Sequence, residues 1–180
     1  MDDGDTTVLF REVQRFTETW ICWIVGAIVL VAWWTFVQQI VFGVPFGTNP
    51  APDGLVWAIL LFAGIGLPLF FFVARLVTVV TPTELRLRFV PLKKRVVPLG
   101  DVRRAEVRTY RPIREYGGWG IRYGFGRGWV WSTGGRRGVL FEIEGKKPLL
   151  VGSGRPEALA EALRVAGVGE VASDARAGGA

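Results

Sequence analysis

The chain of 180 residues has no histidine, one cysteine and one methionine. Without histidine it lacks the commonest general base and transition-metal ligand available near neutral pH. The single cysteine, Cys22, excludes an intrachain disulfide and a zinc site built from cysteines. Charge is missing from two long stretches: residues 20–42 and 55–74 contain no Asp, Glu, Lys or Arg. Each is about as long as the ~20 apolar residues that carry an α-helix across a bilayer.

A bilayer offers no water to an unpaired backbone group, so apolar runs of this length read as helices despite their Val and Ile content. Trp20 and Trp23 suit the interface at one end of the first run, and Trp33 and Trp34 are expected to pack on the second. The second run carries Gly64, Gly66 and Pro68, which predict close helix approach and a kink near residues 62–66. The glycines serve either packing within one chain or a self-association face. A cleaved signal peptide is disfavoured. The first run begins only at residue 20, exceeds the usual apolar core, and lacks a small-x-small cleavage site.

Lys and Arg set the orientation. Arg11 and Arg15 precede the first run, the connecting residues 43–54 have neither type, and Arg75 opens a basic segment. The positive-inside rule then puts both termini in the cytoplasm of a two-pass plasma-membrane protein. Residues 75–170 hold 19 Lys and Arg against 9 Asp and Glu, a surplus of 10 positive charges. A basic domain tethered to a membrane feels the anionic leaflet.

Taken in order, residues 1–19 are a polar tail followed by a helical pattern over 8–19. There Leu9, Val13 and Phe16 share one face. This predicts an amphipathic interfacial helix or the start of one long helix. Residues 20–42 and 55–74 are the two spans, and 43–54 an extracytoplasmic loop. From residue 83 the period changes to two. Leu85, Leu87 and Phe89 alternate with charged residues, 91–94 is a turn and 95–99 returns. Strands are also expected over 102–110, 129–132, 139–143 and 148–151. Residues 155–166 read as an amphipathic helix, with Pro156 in its first turn and Gly167 at its stop. Residues 167–180 read as a disordered tail.

Three motifs, V-P-L-G-D-V (97–102), R-P-I-R-E-Y-G-G-W-G-I-R (111–122) and G-S-G-R-P-E-A-L (152–159), resemble bacterial PH-like domains. These occur in membrane proteins with two N-terminal spanning helices. F-R-E-V-Q-R-F (10–16) resembles the start of such proteins. The resemblance implies a membrane α-helical hairpin followed by a mainly-β PH-like domain at 83–166. That domain would be a bent antiparallel sheet or partial barrel capped by a C-terminal helix. It implies neither an activity nor catalytic residues.

Two stretches are candidates for binding. In 116–132, glycines alternate with Trp119, Arg122, Tyr123, Phe125, Arg127, Trp129 and Trp131, and the first six are the partner-binding candidates. Gly, Arg and aromatic side chains in one loop suit a protein-partner surface. The competing expectation is a bent hairpin whose aromatics cover the sheet. Lys93, Lys94 and Arg95 sit at the first hairpin. The resemblance makes them anionic-lipid candidates, and the plainer expectation is a solvated turn. No nucleotide-phosphate motif is present, and nucleic acid is not expected as a partner. The carboxylates of the basic domain form no acid/base pair. The expectation is a non-catalytic membrane-anchored adaptor or accessory subunit without a cofactor. It would bind membrane lipids and a protein partner or a second copy. The alternative is an anionic-lipid sensor.

Overall fold

The computed structural model describes residues 7–16 and 18–172. The chain divides into two compact units, one formed by residues 18–74 and the other by the segments on either side.

In the helical unit, α1 (Thr19–Phe36) continues into a wide π-type turn at Val37–Val41. The second helix runs through α2 (Asp53–Ile59), a π-type stretch Leu60–Gly66 and α3 (Leu67–Val73). Trp20–Val41 and Asp53–Val73 are long and apolar enough to cross a membrane. Their most apolar windows are only 6% and 17% buried, whereas the core helix of a soluble protein is mostly buried. Trp33 Nε1 donates to the Gly64 carbonyl at 3.3 Å. That carbonyl is the one Pro68, which has no N–H, cannot serve in an i→i−4 bond. A Cβ at Gly64 would lie 3.4 Å from the same indole nitrogen, so the glycine opens the notch. The irregularity expected at 62–66 is therefore a wide turn bonded from outside. Trp34, expected to pack likewise, is exposed. At the other end of the pair, Gln39 Nε2 donates to Ala51 O at 2.7 Å and Asp53 Oδ1 at 2.9 Å.

The second unit is mainly β. Its first sheet has the order β1 (Phe10–Arg15), β2 (Arg75–Val80), β3 (Glu84–Val90) and β4 (Lys93–Pro98), all antiparallel. The remaining strands are β5 (Val102–Thr109), β6 (Gly120–Gly124), β7 (Gly128–Ser132), β8 (Arg137–Ile143), β9 (Leu149–Gly152) and β10 (Glu170–Ala172). They form a second sheet in the order β10-β5-β8-β9-β7-β6. Two of its pairings, β10 with β5 and β7 with β9, are parallel, unlike the antiparallel sheet expected. Among the described residues β4 pairs only with β3 and β6 only with β7, so the sheets do not close into a barrel.

Alternation builds the core. Leu85, Leu87 and Phe89 face inward from β3, and Val139, Phe141 and Ile143 from β8. Leu159 and Leu163 of α5 (Pro156–Val165) join the same cluster and are fully buried. Full burial of each such leucine contributes about 1.5–3 kcal/mol. Gly167 follows α5 in the left-handed region, φ 83°, and its N–H donates to Arg164 O.

Three expected boundaries are corrected. Residues 10–15 are strand β1 and not an amphipathic helix. Phe10 and Glu12 face inward while Arg11, Val13 and Arg15 face out. The helical spacing of Leu9, Val13 and Phe16 fits as well locally, but only an extended chain satisfies the open edge of β2, about sixty residues away. The β unit begins with β1 and β2 rather than at residue 83, because β2 follows the second helix directly. Of the expected disordered tail, Glu170–Ala172 is β10. The polar tail expected at residues 1–6 and the rest of the disordered tail, 173–180, lie outside the described residues.

Candidate binding surface

The aromatic segment folds as a short helix and a hairpin. α4 (Pro112–Tyr116) starts at a proline and ends at Gly117, φ 73°, whose N–H donates to Ile113 O. β6 and β7 then pair from Gly120↔Ser132 to Gly124↔Gly128, leaving Phe125, Gly126 and Arg127 at the tip. Gly128, φ 85°, lies so close to β9's approach that a Cβ would fall 2.1 Å from Pro148 O. No larger residue fits there without moving the backbone.

Pairing sorts the six candidates into two groups. Tyr123 and Trp129 are directly opposed, with ring centroids 5.3 Å apart, and Phe125 stands beside Tyr123 at the tip. Phe125 is 98% exposed. Tyr123 accepts a hydrogen bond from Lys147 Nζ, which also lies over its ring, and the other three are likewise engaged within the unit. Trp119 Nε1 donates to Gly135 O at 3.2 Å, and Arg122 Nε to Trp119 O at 3.3 Å. Arg127 lies 3.8 Å from Glu115, which also holds Arg108 at 3.2 Å and accepts from the Arg111 N–H. Behind the hairpin, burial raises the Tyr116 phenol above its ordinary value of 10.0. Glu115 adds to the rise, and Arg108 and Arg127 oppose it.

The basic candidates lie on β4. A groove of about 380 Å³ is lined by Lys93, Lys94 and Arg95 on one side and Ile121, Trp129 and Trp131 on the other. Of the six aromatic-segment candidates, Trp129 lines this groove. Arg95 is half-buried, and its pKa is lowered by desolvation. None of the three cations has an ion-pair partner among the described residues. Ile121, opposite Trp131 in the hairpin, is the lining residue the sequence did not single out. Its period-two spacing from Tyr123 was the signal available. Among the described residues no three His, Cys, Asp or Glu side chains gather as a metal site.

The surface offers apolar rings beside unneutralised cations, which is binding chemistry. Residues 1–118 match the family described as "Family of unknown function (DUF6141)", and the chain belongs to that family. The match covers β1, both apolar helices and β2 to β5, and ends just before the aromatic hairpin. No curated protein and no solved structure matches the chain.

Proposed function

We propose that the protein is a non-catalytic, membrane-anchored adaptor or accessory subunit whose β unit binds a protein partner. The observation that carries this is the exposed aromatic tip. Phe125, with Tyr123 and Trp129 beside it, leaves a large apolar side chain wholly in water at the end of a hairpin. Aromatic residues on a rigid hairpin are the usual anchors of an interface. Two sheets around one core with α5 packed against it support a PH-like architecture, open between β4 and β6. A plasma-membrane location with both ends of the chain in the cytoplasm is part of the proposal. The pairing of β1 with β2, one before the helices and one after, supports an even number of crossings. Tagged protein isolated from native membranes in mild detergent should carry a stoichiometric partner, or a second copy of itself. Phe125→Ala should lose it while the chain stays folded. Retention of the partner by Phe125→Ala would overturn the assignment.

The free cations in the groove favour a second reading, an anionic-lipid sensor. Lys93, Lys94 and Arg95 would hold phosphate oxygens, with Trp129 and Trp131 against the apolar part of the ligand. The purified chain should then bind liposomes containing phosphatidylglycerol more tightly than neutral ones. The triple alanine variant should not distinguish them.

A further inference from the structure

The first sheet has two faces. The inner one supplies the core, and the outer one is exposed and positively charged. Successive strand residues alternate between faces, and directly paired residues share one. Arg15 pairs with Arg75. Two residues along, Val13, Val77, Arg88 and Lys94 form one row across all four strands. Two residues further, Arg11, Val79, Arg86 and Val96 form the next. All six cations are exposed, as are Val13 and Val96. Among the described residues of these four strands, the one carboxylate on this face is Glu84, and it is bonded to Arg86.

Like charges directly opposite one another in a sheet are unfavourable. Arg15 faces Arg75, and Arg88 faces Lys94. None of these four has a carboxylate partner among the described residues. A face that keeps two such pairs, spaced by valines, suits an anionic surface with an apolar component. Connectivity indicates which one. Arg75 is bonded to Ala74 at the end of the second apolar helix, and Arg15 lies four residues before the first. The row of Arg88 and Lys94 is about 7 Å further along the strands, at ~3.3 Å per residue. That is within the screening length of about 8 Å at physiological salt.

We propose that the outer face of the β1–β4 sheet docks on the anionic leaflet of the membrane that the two helices cross. Arg15, Arg75, Arg88 and Lys94 would neutralise lipid phosphates, and Val13 and Val96 would rest among the headgroups. This surface excludes the aromatic tip and meets the groove only at Lys94. It rests on the helices spanning the bilayer.

The test uses the full chain with Cys22→Ser, carrying a fluorophore on a cysteine at Val96 or, as a control on the other sheet, at Lys146. The protein is placed in nanodiscs containing nickel-chelating headgroups that quench the label. At the same nickel-lipid content, the remaining lipid is phosphatidylcholine in one set and an equal mixture of phosphatidylcholine and phosphatidylglycerol in the other. Co-elution with the discs reports anchoring separately. The Val96 label should be quenched several-fold more with phosphatidylglycerol than without, and the Lys146 label should not respond. R15E/R88E, or R15Q/R88Q if the reversal impairs folding, should abolish the difference while leaving the groove's cations in place. Equal quenching in the two lipids, or quenching unchanged by the charge variants, would overturn docking while leaving anchoring intact. A chain that fails to enter the discs would overturn both.

Discussion

The hydroxyl of Ser153 donates to the carboxylate of Glu12 at 2.6 Å, joining residues 141 positions apart. The other carboxylate oxygen accepts the Gly154 N–H at 2.9 Å. Gln14 adds a bond to Gly152 O, and Arg155 one to Arg11 O. An N-terminal strand that is an edge of its sheet is thereby held to the turn that opens α5.

Removing the Glu12 carboxylate strands a buried hydroxyl and a backbone donor. Glu12→Ala should cost about 1–3 kcal/mol in urea unfolding of the detergent-solubilised chain followed by tryptophan fluorescence. Arg11→Ala, on the exposed face, should stay within about 0.5 kcal/mol of wild type. Equal effects would mean that Glu12 does not hold the strand.

Two glycines of the aromatic hairpin separate backbone freedom from close approach. Both have positive φ, but a Cβ at Gly126 meets open space and one at Gly128 meets Pro148. Gly126→Ala should cost about 1–2 kcal/mol, the left-handed penalty alone. Gly128→Ala should cost clearly more and weaken protection of the β9 amides in hydrogen exchange. Indistinguishable variants would contradict the contact.

The Trp33 bond to Gly64 is needed because Pro68 cannot donate. Trp33→Phe should therefore destabilise the helix pair by about 0.6–2 kcal/mol in bilayers, the range for interhelical hydrogen bonds. Pro68→Ala restores a backbone donor, so Trp33→Phe should cost less in that background. Additivity of the two substitutions would exclude the coupling.

Burial holds the Tyr116 phenol protonated above its ordinary range, so ionisation is easier in the unfolded chain. The folded state keeps this stabilisation below about pH 10, the reference value, and loses it as pH rises through the higher folded value. Alkaline titration of tyrosinate absorbance should show one late component that Tyr116→Phe removes. That variant should also lose stability less steeply in strong alkali. A late component that survives in Tyr116→Phe would contradict the assignment.

Both apolar helices and the strands with clean alternation were legible from residue order alone, because one face of each is uniformly apolar. Leu85, Leu87 and Phe89 are one case, and Val139, Phe141 and Ile143 another. β1 was hidden because the residues it turns inward include Glu12 and Gln14. Their partners lie near the other end of the sequence. β2 was hidden by valines on both faces, Val77 and Val79 outward and Val80 inward. The groove could not be read from spacing. Arg95 meets Ile121 and Trp131 only after two sheets have packed, and no local pattern encodes that. Composition marked the aromatic segment but left open whether its rings cover the sheet, and the exposure of Phe125 and its place beside Tyr123 came from the pairing.

The β1–β2 ladder also imposes an order on synthesis. β1 leaves the ribosome first, yet its partner is translated only after both apolar helices. If those helices are threaded into a bilayer, the ladder can form only when both have gone in and the chain has returned to its starting side. A molecule in which one helix stalls would strand β1 and β2 across the membrane from each other. Its Glu12 would have no Ser153 to meet.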